Sequence, residues 1–118
     1  MKGLKKLLVI SPLALSFSIG FYANAEDTRP HVKPMEAASE KYGVKIKSIF
    51  ASQCSWCHSQ YGMKGGKGPK LAGTELTLEE TINRIAKGKS GAMPGFLKAL
   101  GEKKVEAMAN YIKMLPPE

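Results

Sequence analysis

Cys54-Ser55-Trp56-Cys57-His58 decides how this chain is read. Two thiols three positions apart fall on one turn of helix and can face one object. Four chemistries use such a pair. A redox dithiol of the thioredoxin kind places its tryptophan before the first cysteine, in a βαβ setting. Here Trp56 lies between the cysteines and no strand pattern surrounds them. A zinc site needs two further ligands at metal spacing. The chain has two histidines, and His31 sits in a polar stretch far from His58. A plain disulfide leaves the adjacent His58 without a purpose. The remaining chemistry is haem attachment. Each thiol adds to one vinyl group as a thioether, and His58 binds the iron from the proximal side.

The residues that follow support a flat ligand. Gln60 to Gly73 holds Gly62, Gly65, Gly66, Gly68, Pro69 and Gly73. So many glycines suit close approach of backbone to a planar group. A second glycine loop, Lys89 to Gly95, surrounds Met93-Pro94.

A proximal histidine leaves the opposite face of the iron to Met, His or nothing. The candidates are Met35, Met63, Met93, Met108, Met114 and His31. Met108 and Met114 belong to an amphipathic helix, where core packing is the ordinary role. Met63 lies five residues past His58, on the proximal side or the rim, and Met35 and His31 belong to an N-terminal arm. Met93 lies 35 residues past His58 between Gly91 and Gly95, with Pro94 stiffening the loop, so it is the expected second ligand. A thioether favours Fe(II), so this ligation raises the potential.

The flanks give the domain. The 118 residues suffice for one domain. Lys2, Lys5 and Lys6 precede an apolar run from Leu7 to Tyr22, and Ala23-Asn24-Ala25 offers a small-x-small cleavage site. Residues 1–25 therefore read as a secretory signal peptide. An uncleaved anchor is the rival reading, but the run is short for a membrane span and Pro12 interrupts it. Removing residues 1–25 leaves 93 residues, with 15 Lys+Arg against 10 Asp+Glu, a net charge of +5. Such a small chain buries little apolar surface unaided, so a central cofactor would complete its core. The positive balance favours acidic partners. Export and the lack of aromatics interleaved with the lysines argue against nucleic acid.

Residues 26–42 read as an arm, flexible through Pro34, followed by a helix start. The main domain is residues 43–118. Met35 to Ser52 is helix-like, with Gly43 placed to split it. Thr77-Leu78-Glu79-Glu80 is a capping box that opens a short helix with Ile82, Ile85 and Ala86 inward, and Gly88 ends it. Val105, Met108, Ala109, Ile112 and Leu115 recur at helical spacing in a last helix from about Glu102 to Leu115, which Pro116 and Pro117 close.

With Cys54-Ser55-Trp56-Cys57-His58, Gly68-Pro69-Lys70-Leu71-Ala72-Gly73, Met93-Pro94 and the Tyr111 helix in order, the chain resembles a small class I cytochrome c of the bacterial periplasm over roughly Gly43 to Leu115. The resemblance implies an all-α cytochrome c fold, three to four helices wrapped around one covalently attached haem c. It implies that the Pro69 carbonyl holds the ring N–H of His58, and that Phe50 and Tyr111 are the aromatics packed between the first and last helices. One position departs from the family pattern. Ile46 stands eight residues before Cys54, where glycine is usual at the crossing of the terminal helices, and Gly43 lies one turn earlier.

The expected function is a periplasmic monohaem carrier moving single electrons between a redox donor and acceptor. With both axial positions filled it has no open iron for bond chemistry, so it is not an enzyme. Lys64, Lys67, Lys70, Lys89 and Lys98 flank the two loops and suit acidic docking surfaces. Once the signal peptide is cut, no stable membrane insertion is expected. The alternatives are a dedicated cytochrome subunit of a periplasmic dehydrogenase, and a ligand-binding haem protein in which Met93 is off the iron.

Overall fold

The computed structural model describes residue 20 and residues 25–117. The signal peptide expected at residues 1–25 lies outside the described residues apart from Gly20 and Ala25. Among the described residues five α-helices follow in order: α1 (Val32–Tyr42), α2 (Ile46–Ile49), α3 (Leu78–Lys87), α4 (Leu97–Leu100) and α5 (Glu102–Met114). Among the described residues there is no strand. Only isolated bridges pair Ser59 with Lys64 and Lys89 with Met93.

The N-terminal arm is shorter than the sequence suggests. Helix α1 begins at Val32, so Val32 to Pro34 are helical. Pro34 falls in the first turn, where no intrahelical N–H is needed. Met35 and Ala38 face inward and are buried. His31, expected in a flexible stretch, is 5% exposed and stacks on Tyr61 at 4.9 Å. The two prolines mask an apolar face that has a partner only once the chain is folded.

Gly43 ends α1 in the left-handed region at φ 63°, and its N–H bonds the Ser39 carbonyl. The Val44 N–H reaches the same carbonyl at 3.2 Å, satisfying the helix end. The Ser39 hydroxyl then accepts the Ile46 N–H at 3.3 Å, tying α1 to the start of α2. After α2 the chain widens into a π-turn over Phe50–Cys54, with the Ser55 N–H bonded to the Phe50 carbonyl at 3.0 Å. Such turns re-aim side chains and gather at functional sites. This one delivers Cys54.

Helix α5 is the central post. Helices α1 and α3 make its largest contacts. Val105, Met108, Ala109, Ile112 and Leu115 are all buried, as their spacing predicts. Phe50 and Tyr111 are fully buried and meet edge-on, with centroids 6.0 Å apart at 81°. Each such side chain contributes roughly 1.5–3 kcal/mol by leaving water. The unusual Ile46 is also fully buried. The main crossing with α5 is made by α1 instead of α2. Fully buried Ala38 on α1, with Ala107 and Ala109 on α5, keeps side chains small on both helices.

Candidate haem-binding site

The turn after Cys54 sorts its side chains by face. The Cys57 and His58 N–H groups bond the Cys54 carbonyl at 3.2 and 3.0 Å. Cys54, Cys57 and His58 face a cavity of about 400 Å³, whereas Trp56 points to solvent with 79% exposure. The thiols are unpaired. Burial pushes the Cys54 thiol up to about 11. That is opposite to the lowered pKa of a redox-active thiolate. No group of three or more His, Cys, Asp or Glu side chains among the described residues could hold a metal ion. The dithiol and zinc alternatives therefore find no support.

The glycine loop closes on His58. The Gly68 N–H bonds the Cys57 carbonyl at 2.8 Å. A Cβ on Gly68 would lie 2.7 Å from His58 Cε1, so only glycine lets the loop come this near. His58 is buried, and its Nδ1 lies 2.7 Å from the Pro69 carbonyl oxygen. A carbonyl only accepts, so Nδ1 carries the proton and Nε2 keeps its lone pair. That is the tautomer a metal-ligating imidazole needs.

Below this layer the chain is strained. Gln60 and Tyr61 adopt positive φ, 48° and 54°. The Tyr61 carbonyl accepts the Tyr111 hydroxyl at 2.6 Å, and its ring lies between His31 and Phe50. Burial pushes the Tyr111 hydroxyl well above the usual phenol range, so it stays a donor. The sequence reading missed Tyr61, because nothing local marks a tyrosine for the left-handed region.

Met93 enters from the other wall. It is half-buried and lines the same cavity as His58. Lys89 and Met93 exchange both backbone hydrogen bonds at 2.8 Å, and the Ala92 N–H also reaches the Lys89 carbonyl. Gly88 sits directly under this turn, where a Cβ would collide with the Met93 carbonyl oxygen. The Phe96 N–H bonds the Ile85 carbonyl at 2.9 Å and fastens the loop to α3. Of the other candidates, Met108 also lines the cavity from α5, while Met35 and Met63 are buried away from it, and Met114 is 42% exposed. His31 is likewise off the cavity. Lys67, Lys70 and Lys89 line it. Lys64 and Lys98 do not.

The residues fit a haem c. Two thiols, an imidazole nitrogen and a thioether share one largely apolar cavity, and Lys67, Arg84 and Lys89 offer cations to carboxylates at its edge.

Comparisons with known proteins agree. A family described as cytochrome c oxidase, cbb3-type, subunit III matches residues 44–112, so α1 lies outside the match. The cytochrome c subunit of a menaquinol:cytochrome c reductase from Geobacillus thermodenitrificans is 40% identical over 76 residues, 64% of this chain. This chain spans only 29% of that protein's length. Two solved structures share the fold. Cytochrome cL from Hyphomicrobium denitrificans superposes with a TM-score of 0.51 at 22% identity, covering 71% of this chain and 50% of its own. The c-type cytochrome KustC0563 superposes at 0.50 with 21% identity, covering 61% and 96%. The match to residues 44–112 takes in the attachment motif, the glycine loop and Met93 together, and the chain belongs to this family of cytochrome c domains, in its class I, single-haem form.

Proposed function

We propose that this protein is an exported electron carrier that takes one electron from one redox protein and passes it to another, and that Cys54 and Cys57 would attach a haem c whose iron His58 and Met93 would hold. The observation that carries this reading is the convergence of those four side chains on one apolar cavity. Haem c, when bound, supplies an iron that cycles between Fe(III) and Fe(II).

The chain's own residues do the rest. Cys54 and Cys57 fix the group at two points. The Pro69 carbonyl holds the His58 Nδ1 proton, which would leave Nε2 free to hold the iron. Met93 offers a soft thioether, which favours the reduced state. The apolar walls from Leu71, Ile85, Phe96 and Ile112 exclude water. With His58 and Met93 both holding the iron, no position would remain for substrate, and the protein would act as a carrier rather than an enzyme. The cleavage motif at Ala23-Asn24-Ala25 supports export by a signal peptide.

A second reading is supported by the reductase relative, which is a subunit. Here the chain would be a permanent electron-accepting part of a larger complex. Among the described residues, the large exposed hydrophobics are Trp56, Leu78, Leu97 and Met114, spread over four segments. An obligate interface calls for a contiguous apolar patch, so the shuttle is preferred.

The test is direct. Acid–acetone extraction of the purified protein should leave the colour with the polypeptide, and a redox titration should give one single-electron wave. Colour leaving with the solvent would refute the attachment. Native mass of the protein from its host separates a free carrier from a complex subunit.

A further inference from the structure

We propose that Trp56 is the apolar anchor of a docking face for an acidic redox partner. The proposal rests on the carrier reading and names the centre of its contact surface.

Tryptophan has the largest side chain and usually buries most of it. Trp56 is the chain's single tryptophan, and it is 79% exposed. Its backbone is fixed on both sides. Cys54 and Cys57 turn inward, the Cys57 N–H bonds the Cys54 carbonyl, and the Gly68 N–H bonds the Cys57 carbonyl. A rigid aromatic presented on a fixed turn loses little freedom on binding, which is why tryptophan is enriched among residues that dominate interfaces.

Along the sequence the charge on both sides of it has one sign. Residues 41–74 hold six lysines and no Asp or Glu, and Trp56 lies near their middle. Residues 81–101, which carry the Met93 loop, hold Arg84, Lys87, Lys89 and Lys98, again with no acid. The acids lie elsewhere: in the N-terminal arm and α1, around the start of α3, on α5 and at the C-terminal residue. The Lys64 backbone pairs with Ser59, three residues past Trp56, and the Gly66–Gly68 backbone packs on the Cys57 carbonyl, so the lysine-bearing loop folds back onto the tryptophan's own turn. An apolar centre with a cationic rim fits a partner whose redox group presents an apolar edge ringed by carboxylates. Opposed charges steer the encounter, and the desolvated aromatic sets the orientation.

The probe is a reduced acidic flavodoxin, whose flavin edge is apolar, with ascorbate as a reductant too small to need the face. Wild-type holoprotein, Trp56→Ala, Trp56→Phe and Lys64→Glu, a lysine of the same stretch that does not line the cavity, are mixed with each in a stopped-flow instrument at low and high salt. Trp56→Ala should lose roughly ten-fold in second-order rate with flavodoxin, about 1.4 kcal/mol. Trp56→Phe should lose less, and ascorbate rates should stay within about two-fold. The Trp56→Ala deficit should persist at high salt, whereas the Lys64→Glu deficit should shrink as screening sets in. An unchanged flavodoxin rate in Trp56→Ala would overturn the anchor, as would an equal loss with ascorbate. Loss of binding to phosphatidylglycerol vesicles, with the flavodoxin rate intact, would overturn it in favour of a membrane-facing tryptophan. A wild-type protein that even ascorbate fails to reduce would sink the carrier reading itself, and the anchor with it.

Discussion

The two walls of the cavity are held by different means. On the wall of His58 the side chain itself is gripped: Pro69 holds Nδ1 at 2.7 Å and Gly68 presses against the ring. On the wall of Met93 only the backbone is fixed, by the paired bonds with Lys89 and by Gly88 beneath. If His58 and Met93 hold the iron as proposed, the imidazole is aimed before the metal arrives, and the thioether is only brought into range. A ligand whose side chain is pre-aimed loses little freedom when it binds, whereas Met93 must give up rotamers of a flexible chain. The Met93 side is therefore the one expected to let go first under heat, denaturant or competing ligands.

Removing the thiols breaks both walls at once and has the largest expected effect. Cys54→Ser with Cys57→Ser should leave no covalent haem. The chain should then lose cooperative folding, because a domain of this size has little core left around an empty cavity. Circular dichroism during thermal melting, together with the haem content of the purified protein, reads both outcomes. A sharp melt in the haem-free variant would show that α1, α3 and α5 suffice without the group.

Met93→Ala breaks one wall only. The oxidised protein should lose the weak red-edge sulfur-to-iron band, and the reduced protein should bind carbon monoxide. Its potential should fall by on the order of 100 mV, a fraction of the ~0.8 V range that axial ligands set. Met108→Leu should keep the band, although Met108 lines the same cavity. Loss of the band in Met108→Leu and its retention in Met93→Ala would exchange the two roles.

A gentler change sharpens the contrast. Gly88 has φ 72° and no room for a Cβ against the Met93 carbonyl. Gly88→Ala should cost about 1–3 kcal/mol through strain and displacement of the turn. If only the Met93 wall depends on its backbone, the sulfur band should weaken while covalent haem content stays at the wild-type level. Loss of haem content would mean that the two walls are coupled.

The attachment wall was also the easier one to read from sequence. Cys54, Cys57 and His58 fall within five residues, and their chemistry fixes their spacing. The capping box was equally legible, because Thr77 and Glu80 act within one helical turn. The glycines around Met93 pointed to a loop that does line the cavity, but Met108 reaches the same cavity through long-range packing that no local pattern records. The early start of α1 and the burial of His31 were hidden for the same reason. Their partners, α5 and Tyr61, are distant in sequence. The left-handed Gln60 and Tyr61 and the short α4 follow from tertiary closure and not from propensity.

The smallest expected effect tests how far the Met93 wall extends. Helix α3 leads into the Met93 loop through Gly88, and its far end is capped by Thr77 and Glu80. The Glu80 N–H bonds the Thr77 hydroxyl at 3.1 Å, and the Thr77 N–H bonds the Glu80 carboxylate at 2.7 Å. The hydrogen bond from the Thr77 N–H, with that from its hydroxyl second, holds the Glu80 carboxyl below its ordinary value of 4.5. A lowered folded-state pKa contributes stability that is present above the unfolded pKa and is lost as pH falls through the folded one. The cap should therefore weaken only below about the ordinary glutamate range, and Glu80→Gln should flatten that part of the acid profile. Thr77→Ala should cost about 1 kcal/mol at neutral pH, a fall of roughly 4–8 °C in melting temperature for a domain this small. Helix ends fray locally, so the Phe96–Ile85 bond and the Lys89–Met93 pair at the other end should hold. The sulfur band should keep its full intensity at room temperature in Thr77→Ala. If the band weakens along with the cap, α3 transmits its state to the ligand as one rigid piece, and the Met93 wall is longer than its loop.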